Sequence, residues 1–237
     1  MKLEGKIGIY FLKEIWNSYK DVKTSQGNIN IVEWKYVNAV FNTLGIGVEP
    51  TIQYLMNHST TFSEFENWIE RNGRISKNYI NYFNSIILKD EKELFLPEEN
   101  IFNDADLKKW NEQGYVILKG AIPKDDCKKT IDFISEKIEI NINDKNSWYS
   151  YHPLKQGIMV QLFNSEILDK NRLSKKIRLA FEQLWRKNNL MVSMDRVSFN
   201  PPETKTYKFQ GPNLHWDVSL KTPIPFGVQG LLYLNDI

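Results

Sequence analysis

The spacing of apolar residues divides the chain into two parts. Residues 1 to about 90 carry helical periodicity throughout. Val37, Val40, Phe41 and Leu44 recur at the i, i+3, i+4, i+7 positions of one helix face. Gly45 and Gly47 close that run, and Pro50 is placed to open the next, with Ile52, Leu55 and Met56. Thr61 with Glu64 has the form of a capping box ahead of Phe62, Phe65 and Ile69, and Gly73 is a natural stop. Tyr79, Ile80, Phe83 and Ile87 mark a further amphipathic helix. The charged, Pro97-containing stretch from 88 to 100 reads as a linker.

Beyond residue 101 the period becomes mixed. Asn103 or Asp104 is positioned to cap a short helix carrying Leu107 and Trp110, ended by Gly114. Tyr115 to Lys119 has strand alternation, with Val116 and Leu118 on one face. Pro123 opens a helix whose apolar face is Cys127, Ile131, Ile134 and Ile138. Asn171 to Lys187 predicts one helix through Leu173, Ile177, Phe181 and Leu184. Met191 to Phe199 and Val228 to Leu234 predict strands, separated by loops rich in proline and glycine. The expected fold class is α+β: a helical unit over 1–95 and a second domain over 101–237.

Composition narrows the function. Of 237 residues, 41% are hydrophobic and 13% aromatic, enough for a sizeable core. A net charge of +2 supplies no electrostatic footprint for nucleic acid or an anionic membrane. No apolar run approaches the roughly 18 residues of a membrane span, and the N-terminus is a poor signal peptide, so a cytoplasmic protein is expected. The lone Cys127 excludes an intrachain disulfide and a cysteine-based zinc cluster.

The chemistry concentrates in GPNLHWDVSLKTPIPFGVQGLLYLND, residues 211 to 236. On a strand, residues two apart face the same side. His215 and Asp217 therefore project an imidazole and a carboxylate into one space. They supply two-thirds of the two-histidine, one-carboxylate facial triad that suits non-haem Fe(II). By itself H-x-D is weak, since chance produces it in roughly one such chain in seven. The competing reading is a histidine and an aspartate making local hydrogen bonds.

GYVILKGAIPKDDCKKTIDFI (114–134), VSMDRVSFNPP (192–202) and LHWDVSLKTPIPFGVQGLLYLND (214–236) occur in an order and spacing that resemble the phytanoyl-CoA dioxygenase family of Fe(II)/2-oxoglutarate-dependent oxygenases. The resemblance covers about 101–237. It implies a double-stranded β-helix (a jelly-roll or cupin-like fold), with His215 and Asp217 as metal ligands. It also implies oxidative decarboxylation of 2-oxoglutarate coupled to hydroxylation of a small-molecule or carrier-bound substrate by molecular oxygen.

Within that frame Arg196 is a candidate for an anionic group such as the cosubstrate, against a salt bridge to Asp195. Gln229, Leu231 and Tyr233 share one face of a strand, which places Gln229 and Tyr233 among the cofactor-binding candidates. Trp216 points away from the ligands and is assigned to core packing, as are Trp34, Trp68 and Trp185. The family's second histidine and its cosubstrate arginine are missing after the LND segment. His58 and His152 lie upstream, where ordinary structural roles are expected. The expectation is an N-terminal portion of a longer enzyme, inactive alone. The alternatives are a non-catalytic jelly-roll binding module, or an inactive truncated remnant fused to a helical interaction domain.

Overall fold

The computed structural model describes residues 3–24, 32–58, 61–87, 98–188, 190–217, 222, 224 and 226–235. Its fold class is α+β: helices dominate, with one small antiparallel sheet. The expected linker falls largely outside the described residues. Two compact units are formed, one from the first 94 residues plus 189–195, the other from 95–188 plus 196–237.

The first unit holds α1 (Leu12–Thr24), α2 (Trp34–Thr43), α3 (Val48–Asn57), α4 (Phe62–Asn72) and α5 (Lys77–Ile86). The predicted faces become buried, except that Met56 and Tyr79 are exposed. Val37, Val40, Phe41 and Leu44 pack with Leu55, Phe65, Ile69, Ile80 and Phe83. Thr61 caps α4 through the backbone of Glu64, and the Glu64 carboxylate returns to the Thr61 backbone, closing the capping box. Trp34 departs from expectation. It is the first residue of α2 and is more than half exposed, although it stands at i, i+3, i+7 with Val37 and Phe41. Trp68 packs against the core, stacked on Tyr54 at 4.5 Å.

The second unit runs through α6 (Asp104–Gln113), α7 (Lys124–Lys137), a 3-10 turn (Lys145–Tyr149), β1 (Lys155–Gln156), β2 (Met159–Val160), α8 (Glu166–Arg172), α9 (Lys175–Trp185) and β3 (Val197–Ser198). Asn103 is the cap of α6, in a box with Asp106, and Gly114 ends it at φ +75°. The sheet order is β1-β2-β3, all antiparallel, with Val160 opposite both Lys155 and Val197. Ile134 of α7 and Ile138, its C-cap, pack with Ile140 and Val160 of the sheet region. Phe199 and Leu234 pack against the same cluster.

Four expected elements differ. Tyr115–Lys119 keeps its alternation, Val116 and Leu118 being more buried than Tyr115 and Ile117, but it pairs with no strand among the described residues. The helix expected over 171–187 breaks at Leu173 and Ser174 into α8 and α9. Leu173 is exposed, and the buried face of α9 is Leu179, Ala180 and Glu182 rather than the expected register. The strand expected over 191–199 shrinks to Val197–Ser198. Its first half joins the helical unit, where Met191 packs on the core and the Met194 N–H donates to Asn42 Oδ1 at 2.7 Å. Val228–Leu234 forms no strand among the described residues, and Asp236 lies outside them. No helix among the described residues is long and apolar enough to cross a membrane.

Candidate metal centre

Two stretches without regular structure carry the H-x-D motif and its surroundings, and each is held by contacts to the scaffold. Gly157, with Ile158, makes the two-residue turn between β1 and β2 at φ +62°, a conformation suited to glycine. A Cβ there would sit 2.8 Å from the carbonyl oxygen of Gln210, so the missing side chain also admits the backbone that leads into 211–217. The preceding excursion is tied by the Phe209 N–H to Glu203 Oε1 at 2.9 Å and by Tyr207 packed edge-on to Tyr149. The second stretch, 226–235, has three anchors. Phe226 sits edge-on to Trp185 at 5.0 Å, Gly230 lies against Phe181, and Leu234 joins the core beneath the sheet.

Between these anchors a chain of hydrogen bonds connects the two stretches. The His215 Nδ1 lies 2.7 Å from the carbonyl oxygen of Asn213. A carbonyl only accepts, so Nδ1 carries the proton and donates. That leaves Nε2 directed at Asp217, 3.0 Å from Oδ1. The other carboxylate oxygen, Oδ2, accepts from the Gln229 side-chain amide at 2.9 Å. The Asn213 carbonyl, and after it the negative charge of Asp217, holds the imidazole pKa above its ordinary value. His215 and Asp217 side chains are each about half exposed, at 52% and 53%. The site is therefore open to water on at least one side.

Two of the expected metal residues are thus brought together, and Gln229 joins them in a different role from the one expected. It holds the carboxylate instead of standing free for a cosubstrate. Tyr233 is exposed, four residues beyond Gln229. Arg196 is half-buried immediately ahead of β3. The backbone around His215 is not a strand. The i, i+2 convergence arises instead from an irregular turn in which Asn213 captures the imidazole. Trp216 is corrected from core to surface: it is three-quarters exposed, beside a fully exposed Leu214.

Among the described residues no cluster of three or more His, Cys, Asp or Glu side chains has metal-binding geometry. His152 uses its Nδ1 to accept the Leu154 N–H at 3.2 Å, a turn-capping role. His58 hydrogen-bonds the carbonyl of Tyr54 and stacks on that ring at 4.7 Å, ending α3.

One feature was not legible beforehand. An open groove of about 500 Å³ between α7 and α8 is lined by Asp126, Lys129, Phe133 and Lys170, among others. Asp126 is buried there and pairs with Lys170 at 2.6 Å.

Compared with known proteins, the chain matches no family model, no curated protein and no solved structure.

Proposed function

We propose that His215 and Asp217 are two ligands of a divalent metal centre of the Fe(II)/2-oxoglutarate oxygenase type, of the phytanoyl-CoA dioxygenase kind, on a jelly-roll-related domain. The observation that carries this is the approach of two donors of suitable type. With Nδ1 committed to the Asn213 carbonyl, His215 turns Nε2 toward a carboxylate oxygen 3.0 Å away. In the metal-free protein a proton on Nε2 joins them as an ion pair, in keeping with the raised imidazole pKa. A metal would displace that proton and lie off the line between the two atoms. Two donors about 2.1 Å from one ion and at a right angle to each other are ~3.0 Å apart. The spacing therefore suits adjacent positions on an octahedral ion.

Within this reading the protein's own groups have distinct tasks. Asn213 selects the tautomer that frees Nε2, the arrangement usual for a ligating histidine. Asp217 supplies a hard anionic oxygen. Fe(II) bound by His215 and Asp217 would supply oxygen activation for hydroxylation of a substrate C–H bond. The reading requires a third protein donor, which neither His58 nor His152 provides in its observed role.

The test is Mn(II) binding, followed by the loss of the free-ion electron paramagnetic resonance signal, with and without 2-oxoglutarate. Binding should tighten with the cosubstrate and be lost in His215→Ala and Asp217→Ala. Binding that ignores both substitutions overturns the proposal. A second reading, a binding module without catalysis, is favoured by the openness of the pair and by the two-donor set. It predicts no metal binding that depends on His215 and Asp217, with or without 2-oxoglutarate, and no oxygen consumption.

A further inference from the structure

We propose that the groove between α7 and α8 binds a small zwitterion with an apolar body, of the free amino-acid class. Asp126 and Lys170 line it but pair with each other at 2.6 Å, so their charges are already matched. Lys129 on α7 and Glu166 on α8 bring opposite charges to the same groove. Neither side chain has a hydrogen-bond or ion-pair partner among the described residues. Phe133 and Ile167, both half-buried, supply apolar lining. One wall thus offers a free cation and the other a free anion, with apolar surface in the same space.

The two walls are pinned to each other without a ligand. The Thr130 hydroxyl donates to the Asp126 carbonyl at 2.6 Å and accepts from the buried Asn171 amide at 2.7 Å. Together with the Asp126–Lys170 pair, this fixes α8 on α7. The volume, about 500 Å³, falls within the ~300–1,000 Å³ usual for small-molecule sites. The lining charges decide the ligand class. A plain carboxylate would satisfy Lys129 but face Glu166, and a plain amine would satisfy Glu166 but face Lys129. A zwitterion satisfies both. An aromatic or branched side chain on it would lie against Phe133 and Ile167. Lys129 and Glu166 are exposed, so binding is weak and salt-sensitive. His215 and Asp217 take no part, and the inference is independent of the metal reading.

The experiment titrates the isotopically labelled full chain with L-phenylalanine and with L-leucine, followed by NMR. Hydrocinnamate and phenethylamine are the controls, each lacking one of the two charges. An amino acid should shift the amide signals of α7 and α8 saturably, and both controls should bind more weakly. Lys129→Met and Glu166→Gln should each weaken amino-acid binding about fivefold, the worth of one exposed ion pair. Lys129→Met should also abolish the advantage of L-phenylalanine over phenethylamine, and Glu166→Gln its advantage over hydrocinnamate. A groove that merely accepts apolar rings would show neither change. Both substitutions fall on exposed side chains, and unchanged urea midpoints would verify that the variants are folded. The absence of saturable shifts with both amino acids overturns the proposal. So does binding of either control as tight as that of L-phenylalanine, or amino-acid binding unchanged in both folded variants.

Discussion

Gly230 and Phe181 meet at a distance that leaves no room for a methyl group. A Cβ on Gly230 would lie 2.8 Å from Cζ of the ring. This contact seats the segment that carries Gln229 on α9. Gly230→Ala should therefore displace the ring tip or the segment, destabilising the protein by about 0.5–1 kcal/mol in urea unfolding, a small cost because Gly230 is exposed. Phe181→Leu in the same chain should recover part of the loss by removing the ring edge. If Gly230→Ala is neutral, the close approach is not part of the folded state in solution.

The imidazole of His215 should titrate above the ordinary histidine range in metal-free protein, followed by its ring-proton chemical shifts. Asp217→Asn should lower the midpoint without restoring it fully, because the Asn213 carbonyl is the larger cause. A pKa raised by folding contributes stability that is present below the unfolded value and is lost as pH rises through the folded one. The group is open to solvent, so the effect on unfolding should be slight and screened by salt. A midpoint at or below the unperturbed value would contradict the observed hydrogen-bond arrangement.

Lys170 is the salt-bridge partner of a carboxylate that is itself 5% exposed. Lys170→Met leaves Asp126 with less compensation inside the α7–α8 interface and should cost about 1–2 kcal/mol. Asp126→Asn with Lys170→Met should be milder than Lys170→Met alone, since no buried charge then remains. A double variant as unstable as the single one would assign the loss to packing of the lysine stem.

Arg186 ends α9 at φ +54°, a left-handed conformation that side chains disfavour. Arg186→Gly should stabilise the protein by up to ~1 kcal/mol. In the opposite sense, Thr61→Ala and Asn103→Ala each remove a capping box and should cost about 1 kcal/mol. Thermal unfolding of these three variants checks both signs.

Helix faces and caps were legible wherever the pattern was local. Val37 to Leu44, the Thr61–Glu64 box and the Gly114 stop depend on residues within one or two turns. The same local logic misjudged α8 and α9, because Ser174 begins a new helix inside an unbroken apolar register, and Leu173 is left outside. Trp34 was assigned inward from helical register and Trp216 from strand alternation, and both are exposed.

The strands were less legible because alternation states only that a segment is extended, not that it has a partner. Tyr115–Lys119 and Val228–Leu234 alternate and remain unpaired among the described residues, while β3 keeps two residues of an expected nine-residue strand. The nearness of His215 and Asp217 followed from their spacing, although an irregular turn produces it here. The sequence by itself determined the helix faces around Val37–Leu44 and Phe65–Ile69, the caps at Thr61 and Asn103, and the nearness of His215 to Asp217, since each needs only neighbours along the chain. Tertiary structure alone decided that Gln229, twelve residues away, closes on Asp217. That contact exists because Gly230 can lie against Phe181, and no local pattern records the distance between two segments held apart by a scaffold.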